Sequence, residues 1–288
     1  MTEARGDRGA AVVTGASTGI GRATALHLDR LGFKVFAGVR KAADAESLRA
    51  AGSKGLEPLT IDVADEASIW AAAQELTERR GESGLAALVN NAGIGVGGPV
   101  ELLSLEDLRR QLEVNLVGQV GVTQALIGLL RKARGRIVFM SSIGGRLVIP
   151  YMAPYHMSKW GLEALADALR IELRPWGIEV VLIEPGTIAT PLWDKAQNSA
   201  DDLISGMDAE GRELYGENVA ALQASAQAEA ERGIPPQRVA EVVAKALTAP
   251  RPKTRYLVGR DAKINARVRR LVPDRVFDRL LSRQIGLR

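Results

Sequence analysis

Tyr155 and Lys159 are the residues of this 288-residue chain whose types and spacing could most directly do chemistry. They lie four residues apart in a pattern typical of an amphipathic helix, so their side chains would share one face. A free tyrosine has a pKa of about 10, and a lysine ammonium beside the ring would lower it by favouring the phenolate. Ser142, at the end of the preceding apolar run, could hydrogen-bond a substrate oxygen. The arrangement indicates general acid–base catalysis, while an ordinary surface pair is the alternative that this spacing alone leaves open.

Three glycines near the N-terminus form a second motif. An apolar run at 10–13 is followed by TGASTGIG and then by a helical pattern through Leu31. Gly15, Gly19 and Gly21 would let a pyrophosphate approach backbone N–H groups at the positive end of that helix. A plain turn between a strand and a helix needs one glycine, so three at this spacing favour a dinucleotide site.

The end of the second predicted strand favours NADP(H) as the dinucleotide. This strand covers 33–39 and is followed by Arg40 and Lys41. In NAD sites an acidic residue about 20 positions past the glycines binds the ribose 2′-hydroxyl, whereas basic residues can bind the 2′-phosphate of NADP. NAD(H) stays open as the other cofactor, because basic residues are also common at solvated strand ends.

Strands and helices alternate along the chain without an internal break. Five further apolar runs are predicted as strands, at 56–63, 85–89, 136–140, 178–183 and 255–258. This order is typical of a single-domain, Rossmann-like α/β fold, in which one doubly wound parallel sheet of about seven strands has helices on both faces. Ligands bind such sheets at the carboxyl ends of the strands.

Two further polar residues bear on this site. Asp62, at the end of the third strand, is placed to contact an adenine. Asn115 lies inside a helix predicted from Ser104 to about Lys132, where an asparagine is disfavoured because its side chain competes for backbone hydrogen bonds. For Asn115 considered alone, a polar group on the helix surface is the favoured interpretation.

The composition divides the chain into a catalytic domain and an extension. Residues 1–260 hold all the strands, with a polar insertion at about 191–234 that would lie over the ligand crevice as a lid. Residues 251–288 carry 12 Lys/Arg and 3 Asp/Glu, a net charge of +9, whereas the first 250 residues carry 26 and 31, a net charge of −5. We therefore treat 261–288 as a basic amphipathic C-terminal extension.

The composition also excludes several classes of site. The chain has no cysteine and two histidines, which excludes disulfides, thiolate metal sites and histidine-rich metal sites, so no metal is predicted. The N-terminus lacks the apolar segment of a signal peptide, and no run approaches the roughly 18 consecutive apolar residues of a membrane span. These features predict a cytoplasmic protein.

Taken in order, the motifs resemble those of the short-chain dehydrogenase/reductase family over about residues 9–260. TGASTGIG is similar to the family's T-G-x-x-x-G-x-G cofactor turn, and NNAG at 90–93 matches its fourth-strand motif. PGTIAT at 185–190 looks like the family's nicotinamide-side loop. The catalytic positions of the family fall on Asn115, Ser142, Tyr155 and Lys159.

The resemblance implies a role for each of these residues. Tyr155 would exchange a proton with the substrate oxygen and Ser142 would orient that oxygen. Lys159 would bind the nicotinamide ribose and lower the pKa of Tyr155, and Asn115 would hold a water that links Lys159 to solvent. The hydride would pass between the nicotinamide and the carbon of a carbonyl or secondary alcohol. Further cofactor contacts are implied at Ser17, Thr18, Ile20, Val63, Asn91, Ala92, Gly93, Pro185, Gly186, Ile188 and Thr190.

The substrate and the assembly are also implied by the resemblance. The stretches around Tyr155 and the sixth strand look like the branch that contains hydroxysteroid and retinol dehydrogenases. The predicted pocket residues are apolar and suit a lipophilic, steroid- or retinol-like substrate. Loops that cover an apolar pocket are, however, rich in apolar residues in many other reductases. Family members associate through the helices that carry Asn115 and Tyr155, which implies a homodimer or homotetramer. The predicted pocket consists of Ile143, Leu147, Val148, Ile149, Met152, Leu192 and Trp193.

The C-terminal extension lies outside the family pattern. Val272, Val276 and Leu280 recur near helical spacing among many arginines. Such a segment could contact an anionic membrane surface, dock on a neighbouring subunit or cover its own domain. Nucleic-acid binding is not predicted, because aromatic residues are not interspersed among the basic ones and the segment matches no recognisable nucleic-acid-binding module.

Two other classes of function compete with an oxidoreductase. A non-catalytic dinucleotide-binding regulatory or structural subunit would keep the fold without needing the four catalytic side chains. A membrane-surface scaffold driven by the extension would leave the first 250 residues unexplained. The intact catalytic set therefore favours the enzyme.

Overall fold

The computed structural model of the chain describes residues 8–193, 201 and 204–284. The strands are β1 (Ala10–Val13), β2 (Lys34–Val39), β3 (Leu56–Thr60), β4 (Ala87–Asn90), β5 (Arg136–Met140), β6 (Glu179–Pro185) and β7 (Arg255–Val258). They form one parallel sheet in the order β3-β2-β1-β4-β5-β6-β7. The strand order reverses between β1 and β4, as in a doubly wound sheet. The predicted fold class is therefore confirmed.

Helices cover both faces of this sheet. They are α1 (Gly19–Arg30), α2 (Ala42–Ala51), α3 (Glu66–Arg80), α4 (Leu105–Leu112), α5 (Gly118–Ala133), α6 (Ala153–Glu172), α7 (Ala209–Glu231), α8 (Pro236–Thr248), α9 (Arg260–Leu271) and α10 (Asp274–Gln284). Side chains of each strand alternate between two cores. In β1, Ala11 and Val13 pack with α1, α2 and α8, whereas Ala10 and Val12 face the core that holds α3, α5 and α6. All four are fully buried, as expected for a parallel sheet covered on both sides.

All seven strands were predicted with small shifts at their ends, whereas one of the helices, α2, was not predicted. Strand ends shift by a few residues, most at β3, which ends at Thr60 because the next residues form the turn into α3. In that turn the Asp65 carboxylate accepts a hydrogen bond from Ala67 N at 2.9 Å and caps the helix. Helix α2 was not predicted, since Ala45 and Leu48 are its buried residues and leave little apolar periodicity.

The helix predicted from Ser104 onward is one continuous helical run of three parts. Ser104 Oγ accepts a hydrogen bond from Asp107 N at 3.0 Å and so caps the helix at its predicted start. Between α4 and α5 the residues Glu113–Val117 form a π-helical turn, and Gly118 N donates to Glu113 O. Asn115 lies at the centre of this turn. Such widened turns occur frequently at functional sites.

This run is also the one helix among the described residues that is long and apolar enough to cross a membrane by length and composition. Leu105–Ala133 has 29 residues and contains an 18-residue stretch with a mean hydropathy of 1.2. The polar side chains of Gln111, Asn115 and Gln119 are nevertheless fully buried against the chain that follows β4. We therefore assign the run to the core of the domain.

The insertion and the extension are both helical where the structure describes them. Helix α7 lies in the predicted lid, of which 194–200 and 202–203 fall outside the described residues. Helix α9 follows directly after β7, and its Ala262 is fully buried. Helix α9 ends at Leu271 and Val272 is its C-cap residue, so Val272 does not share a helix with Val276 and Leu280.

Candidate active site

The predicted site residues converge at the carboxyl ends of β1, β4, β5 and β6. Thr14, directly after β1, ties the first two of these ends together. Its Oγ1 accepts hydrogen bonds from Asn91 N at 3.0 Å and Ala92 N at 3.1 Å. Asn91 Nδ2 donates in turn to Thr14 O at 2.9 Å and Gly15 O at 3.2 Å. The NNAG segment is therefore fixed against the glycine turn.

Each glycine of the turn has a structural reason. Gly15 and Gly19 adopt φ angles of +63° and +53°, the left-handed region that favours glycine. A Cβ on Gly21 would overlap the carbonyl oxygen of Gly15, and a Cβ on Gly15 would lie 2.7 Å from Ala92 Cα. The turn thus packs tightly on itself and on the segment after β4, and it leads into the N-terminus of α1, whose first turn has no acidic residue. The positive end of this helix is suited to a phosphate.

The basic pair predicted to bind a 2′-phosphate lies at the end of β2. Arg40 Nη1 is 3.6 Å from Asp62 Oδ2, and the Arg40 side chain is 65% exposed. Lys41 is the N-cap residue of α2. Asp62 Oδ1 also accepts a hydrogen bond from Ala64 N at 3.1 Å, beside the buried Val63. Because an exposed ion pair contributes at most about 1 kcal/mol, Arg40 can exchange the Asp62 carboxylate for a phosphate at little cost.

The Asn115 side chain holds the loop that follows β4. Its Oδ1 accepts a hydrogen bond from Ile94 N at 2.8 Å, and its Nδ2 donates to Ile94 O at 2.9 Å and to Ser158 Oγ at 3.3 Å. Gly93 lies directly beside this amide. Both ends of the amide are therefore bonded to the protein, and its direct action is to connect the loop with α6.

Ser142 and Tyr155 meet at the end of β5. The Ser142 hydroxyl lies close enough to the phenol to lower the pKa of Tyr155, but burial of the phenol has the larger effect and raises that pKa above 10. Ser142 Oγ also accepts a hydrogen bond from Gly144 N at 3.0 Å. The net direction of the Tyr155 pKa is therefore upward, and the lowering effect expected of Lys159 stays a prediction. The ammonium lies 5.6 Å from the centre of the ring and donates instead to Met140 O at 2.8 Å.

Lys159 is a buried cation one helical turn before Glu163. Burial lowers its pKa from 10.5 to about 8, and the Glu163 carboxylate acts in the opposite direction. Glu163 is itself held in place, since its Oε1 accepts from Ser141 Oγ at 2.6 Å and its Oε2 from Arg255 Nε at 2.9 Å. The ammonium thus has both a carbonyl partner and a nearby anion.

His156 fixes the loop that carries Ser142. The buried ring contacts Gly144 O through Nδ1 at 2.9 Å and accepts a hydrogen bond from Ile149 N through Nε2 at 3.1 Å. This pair of contacts requires the neutral ring with its proton on Nδ1. Burial lowers the pKa of His156, which favours the same neutral form.

The loop after β6 closes over the glycine turn. Thr190 lies against Gly19, with its Cγ2 at 3.3 Å from the position that a Cβ would take. Ile188 is buried and pairs with Ile234 at the end of the lid. Pro185 ends β6, and Gly186 N donates to Val258 O at 2.9 Å. The predicted nicotinamide-side loop and phosphate turn are therefore in contact.

The residues predicted to line the substrate pocket fall into two groups. Met152 and Leu192 lie over the loop after β4, close to Gly97 and Gly95, respectively. The Trp193 indole donates to Ile188 O at 2.8 Å. In the loop after β5, Ile143 and Ile149 are half-buried and Leu147 is buried, whereas Val148 is exposed.

A partly buried ionic network lies behind these residues, between α6, β6 and β7. Arg255 binds Glu163 and Asp167 of α6 at 2.9 and 2.8 Å and approaches Glu184 of β6 at 3.4 Å. Arg146, in the Ser142 loop, makes two hydrogen bonds of 2.8 Å to the fully buried Glu184. The network connects α6, the helix that carries Tyr155, to β7, which is an edge strand of the sheet.

A comparison with known proteins identifies the family. The profile of the short chain dehydrogenase family matches residues 9–201.

The chain belongs to the short chain dehydrogenase family.

Individual relatives and structures agree with this assignment. The dehydrogenase is 36% identical to the NADPH-dependent 3-dehydrocapnine reductase of Ornithobacterium rhinotracheale over 96% of each chain. It is 37% identical to retinol dehydrogenase 5 of Mus musculus over 94% of this chain and 86% of that one. A short chain dehydrogenase/reductase of Burkholderia phymatum in complex with NAD superposes with a TM-score of 0.77 at 25% identity, covering 93% of this chain and 95% of that one. The protein is thus an alcohol-type oxidoreductase.

Several residues that shape the site of this dehydrogenase were missed by the sequence analysis. Thr14, inside the quoted glycine motif, and His156, beside Tyr155, were visible but had no assigned partner. Glu163, Glu184 and Arg255 are separated in sequence, so no local pattern could have joined them. A charged residue inside an otherwise apolar strand, as Glu184 is, was the available signal, because a buried charge requires a partner.

Proposed function

We propose that the protein transfers a hydride between NADP(H) and a lipophilic ketone or secondary alcohol, with Tyr155 as the general acid–base catalyst. The observation that carries this proposal is that Ser142, Tyr155 and the buried Lys159 lie together at the carboxyl ends of the strands, where the glycine turn also lies. NAD(H) is the alternative cofactor, and a non-catalytic dinucleotide-binding subunit of the same fold is the alternative function.

The residues at the sheet edge fit a dinucleotide. Gly15, Gly19 and Gly21 present a tight turn and an open helix N-terminus for the pyrophosphate, with Ser17, Thr18 and Ile20 between them. Arg40 and Lys41 would hold a 2′-phosphate, which a carboxylate at the same position would repel. The NADPH dependence of the 3-dehydrocapnine reductase supports this choice. When bound, the nicotinamide supplies the hydride.

The protein would handle the proton and the orientation of the substrate. Because burial raises the pKa of Tyr155, the phenol carries its proton at neutral pH and can donate it to a carbonyl oxygen. Ser142 would hold that oxygen beside the phenol. Lys159 would bind the ribose of the cofactor, and its positive charge would stabilise the phenolate left after proton transfer. Asn115 would fix the loop after β4. It would also hold a water, which is the role that the family resemblance implies.

A lipophilic substrate is supported by the apolar side chains around this site and by the names of the relatives. Met152 and Leu192 lie against the loop after β4, and Trp193 packs back on the loop after β6. Apolar walls with a few converging polar groups are typical of small-molecule pockets. One relative acts on retinol and another on 3-dehydrocapnine, according to their names.

Titration of the purified protein with NADPH and NADH, followed by a screen of ketones, tests the proposal. We expect NADPH to bind at least tenfold more tightly, which corresponds to about 1.4 kcal/mol. Tyr155→Phe should retain binding and reduce turnover of a lipophilic ketone by at least a hundredfold. Binding without turnover of any ketone or alcohol would favour the regulatory subunit, and turnover of small polar ketones alone would contradict the lipophilic substrate.

We further propose a cytoplasmic homodimer or homotetramer that touches membranes peripherally through α9 and α10. Leu271, Val276 and Leu280 are exposed among arginines on these helices, a composition suited to an anionic lipid surface. Sedimentation with anionic and with neutral vesicles tests this contact. The full chain should pellet with the anionic vesicles only, and the triple variant Arg270→Glu, Arg275→Glu, Arg279→Glu should stay in solution. Equal pelleting of both proteins would contradict it.

A further inference from the structure

The first turn of α9 contacts the loop after β6. Asp261 Oδ2 accepts a hydrogen bond from Thr187 N at 2.7 Å. A Cβ on Gly186 or on Gly259 would overlap the same carboxylate, so the backbone on each side approaches it closely. The neighbouring Ala262 is fully buried and anchors the turn in the domain. A side chain of the C-terminal extension is therefore part of the surroundings of the predicted nicotinamide-side loop.

The Asp261 carboxylate differs from those of the two N-cap aspartates, Asp65 and Asp208. Asp65 and Asp208 accept hydrogen bonds from N–H groups of their own helices, at 2.9 Å from Ala67 N and at 2.7 Å from Gly211 N. Asp261 instead accepts from a residue that lies 74 positions earlier in the chain. Its hydrogen bond thus joins two segments, whereas an ordinary cap stabilises one helix.

The loop is fixed at several places besides the hydrogen bond of Gly186 to β7, and Asp261 is one of them. On the lid side, Ala189 N donates to Ile234 O at 3.0 Å and Ile234 N donates to Thr187 O at 3.1 Å. At its far end Thr190 touches Gly19 of the phosphate turn. Thr187 therefore has its carbonyl held by the lid and its N–H held by the extension. Rotation of the backbone at Thr187 would move both Ile188 and Thr190.

We propose that Asp261 is a positioning residue for the cofactor: it holds the Gly186–Thr187 peptide so that Ile188 and Thr190 stay against the glycine turn. This inference rests on the proposed function, in which that loop borders the nicotinamide. A charged acceptor makes a stronger hydrogen bond than a neutral one, and a carboxylate in the first turn of α9 is further stabilised by the helix dipole. The C-terminal extension thereby contributes to cofactor binding without touching the cofactor.

Cofactor affinity in the full chain tests this role. Asp261→Ala should weaken NADPH binding about tenfold and raise the KM for NADPH, with a smaller change in kcat. Asp261→Asn should remain within about threefold of the unchanged protein, because its amide oxygen can still accept from Thr187 N. Asp274→Ala is the matched control, since Asp274 lies in the first turn of α10, is 78% exposed and pairs with Arg269 of the extension. It should leave the affinity unchanged.

A double-variant cycle separates this contact from general loosening of the fold. Gly186→Ala alone should weaken NADPH binding strongly, because its methyl group would overlap the Asp261 carboxylate. In the Asp261→Ala background the same change should cost much less, so the two effects should not add. Strict additivity would overturn the proposal. If Asp261→Ala does not fold, Asp261→Ser replaces it, because the serine hydroxyl ends short of Thr187 N.

Hydrogen exchange of the Thr187 amide provides a readout without cofactor. The amide should exchange at least tenfold faster in Asp261→Ala than in the unchanged protein, and Asp274→Ala should leave it unaltered. If the unchanged protein binds neither NADPH nor NADH, the proposed function fails while the exchange result still reports on the contact. If it binds NADPH and Asp261→Ala binds equally well, the positioning role is wrong and the function stands.

Discussion

Lys159 is the residue whose charge is most sensitive to its surroundings. Its pKa is about 8, lowered by burial and partly restored by Glu163, and the groups that face it are Met140 O, the Tyr155 ring and the Glu163 carboxylate. In Glu163→Gln the restoring effect is lost, so the pKa of Lys159 should fall further below 8. We expect the alkaline limb of the kcat/KM profile to move to lower pH, as measured by ketone reduction between pH 6 and 10.

Glu172→Gln is the matched control for that change, because Glu172 is exposed near the end of the same helix. It should leave the profile where it is. An alkaline limb that does not move in Glu163→Gln would show that another group controls the profile.

His156 should make stability depend on pH below neutrality. Burial lowers the pKa of the folded-state ring from 6.5, so its contribution to stability is complete above pH 6.5 and is lost as the pH falls through the folded-state value. Protonation also removes the acceptor for Ile149 N. In His156→Phe both hydrogen bonds are absent at every pH. The Tm difference between the unchanged protein and His156→Phe should therefore be largest near pH 8 and shrink towards pH 5.

His27 serves as an internal control for this comparison. Burial lowers the pKa of His27 also, but that residue is present in both proteins, so its titration cancels in the difference. A Tm difference that stays constant from pH 8 to pH 5 would contradict the role given to His156.

At the scale of elements, Arg255 joins the edge strand β7 to the catalytic helix α6. Its guanidinium contacts carboxylates of Glu163, Asp167 and Glu184 and is 26% exposed. Removal of one partner from a buried charge cluster leaves the others uncompensated, at a cost of about 3 kcal/mol. Arg255→Met should therefore lower the free energy of unfolding by about 2–3 kcal/mol in urea titrations, since Arg146 still neutralises Glu184.

Arg170→Met provides the comparison, because Arg170 also pairs with Asp167 but both side chains are substantially exposed. It should cost at most about 1 kcal/mol. Similar losses in the two variants would mean that the network contributes no more than a surface ion pair.

Elements with a strong local hydrophobic pattern were predictable from the sequence, whereas features that depend on tertiary contacts were not. The runs at 10–13 and 136–140 became β1 and β5 without change, because buried parallel strands are apolar throughout. The start of the helix at Ser104 was predictable, but its π-helical turn was not, since the turn is stabilised by contacts of Asn115 with Ile94.

The same distinction holds for the site. The glycine turn, Tyr155 and Lys159 lie in local sequence patterns that indicate their chemistry. The structure brings them together at the carboxyl ends of the strands. Asp261 was assigned to the extension, because nothing near it in the sequence points to Thr187. Likewise, the direction of the Tyr155 pKa depends on burial, which the spacing of two residues cannot show.

At the scale of the whole molecule, the helices around the site present apolar side chains to solvent. Val117, Met157 and Trp160 are each about half exposed on the π-helical turn and on α6, where Leu116 packs closely against Gly161. These side chains fit the proposed association of subunits. Trp160→Glu should shift the protein to monomers in size-exclusion chromatography with light scattering.

Trp70→Glu is the control for this prediction, because Trp70 is similarly exposed but lies on α3. It should leave the assembly intact. A protein that is already monomeric at micromolar concentration would contradict the proposed oligomer, and dissociation by both variants would place the contact elsewhere.

The π-helical turn between α4 and α5 also restricts how this region can change through evolution. Gln111, Asn115 and Gln119 all bond to the segment from Ala92 to Val96, although eight residues of regular α-helix would rotate the side-chain direction about 80° out of line. The wider turn between them reduces this offset. One inserted or deleted residue would destroy the alignment, so homologous chains that keep these three contacts must align across 111–119 without a gap.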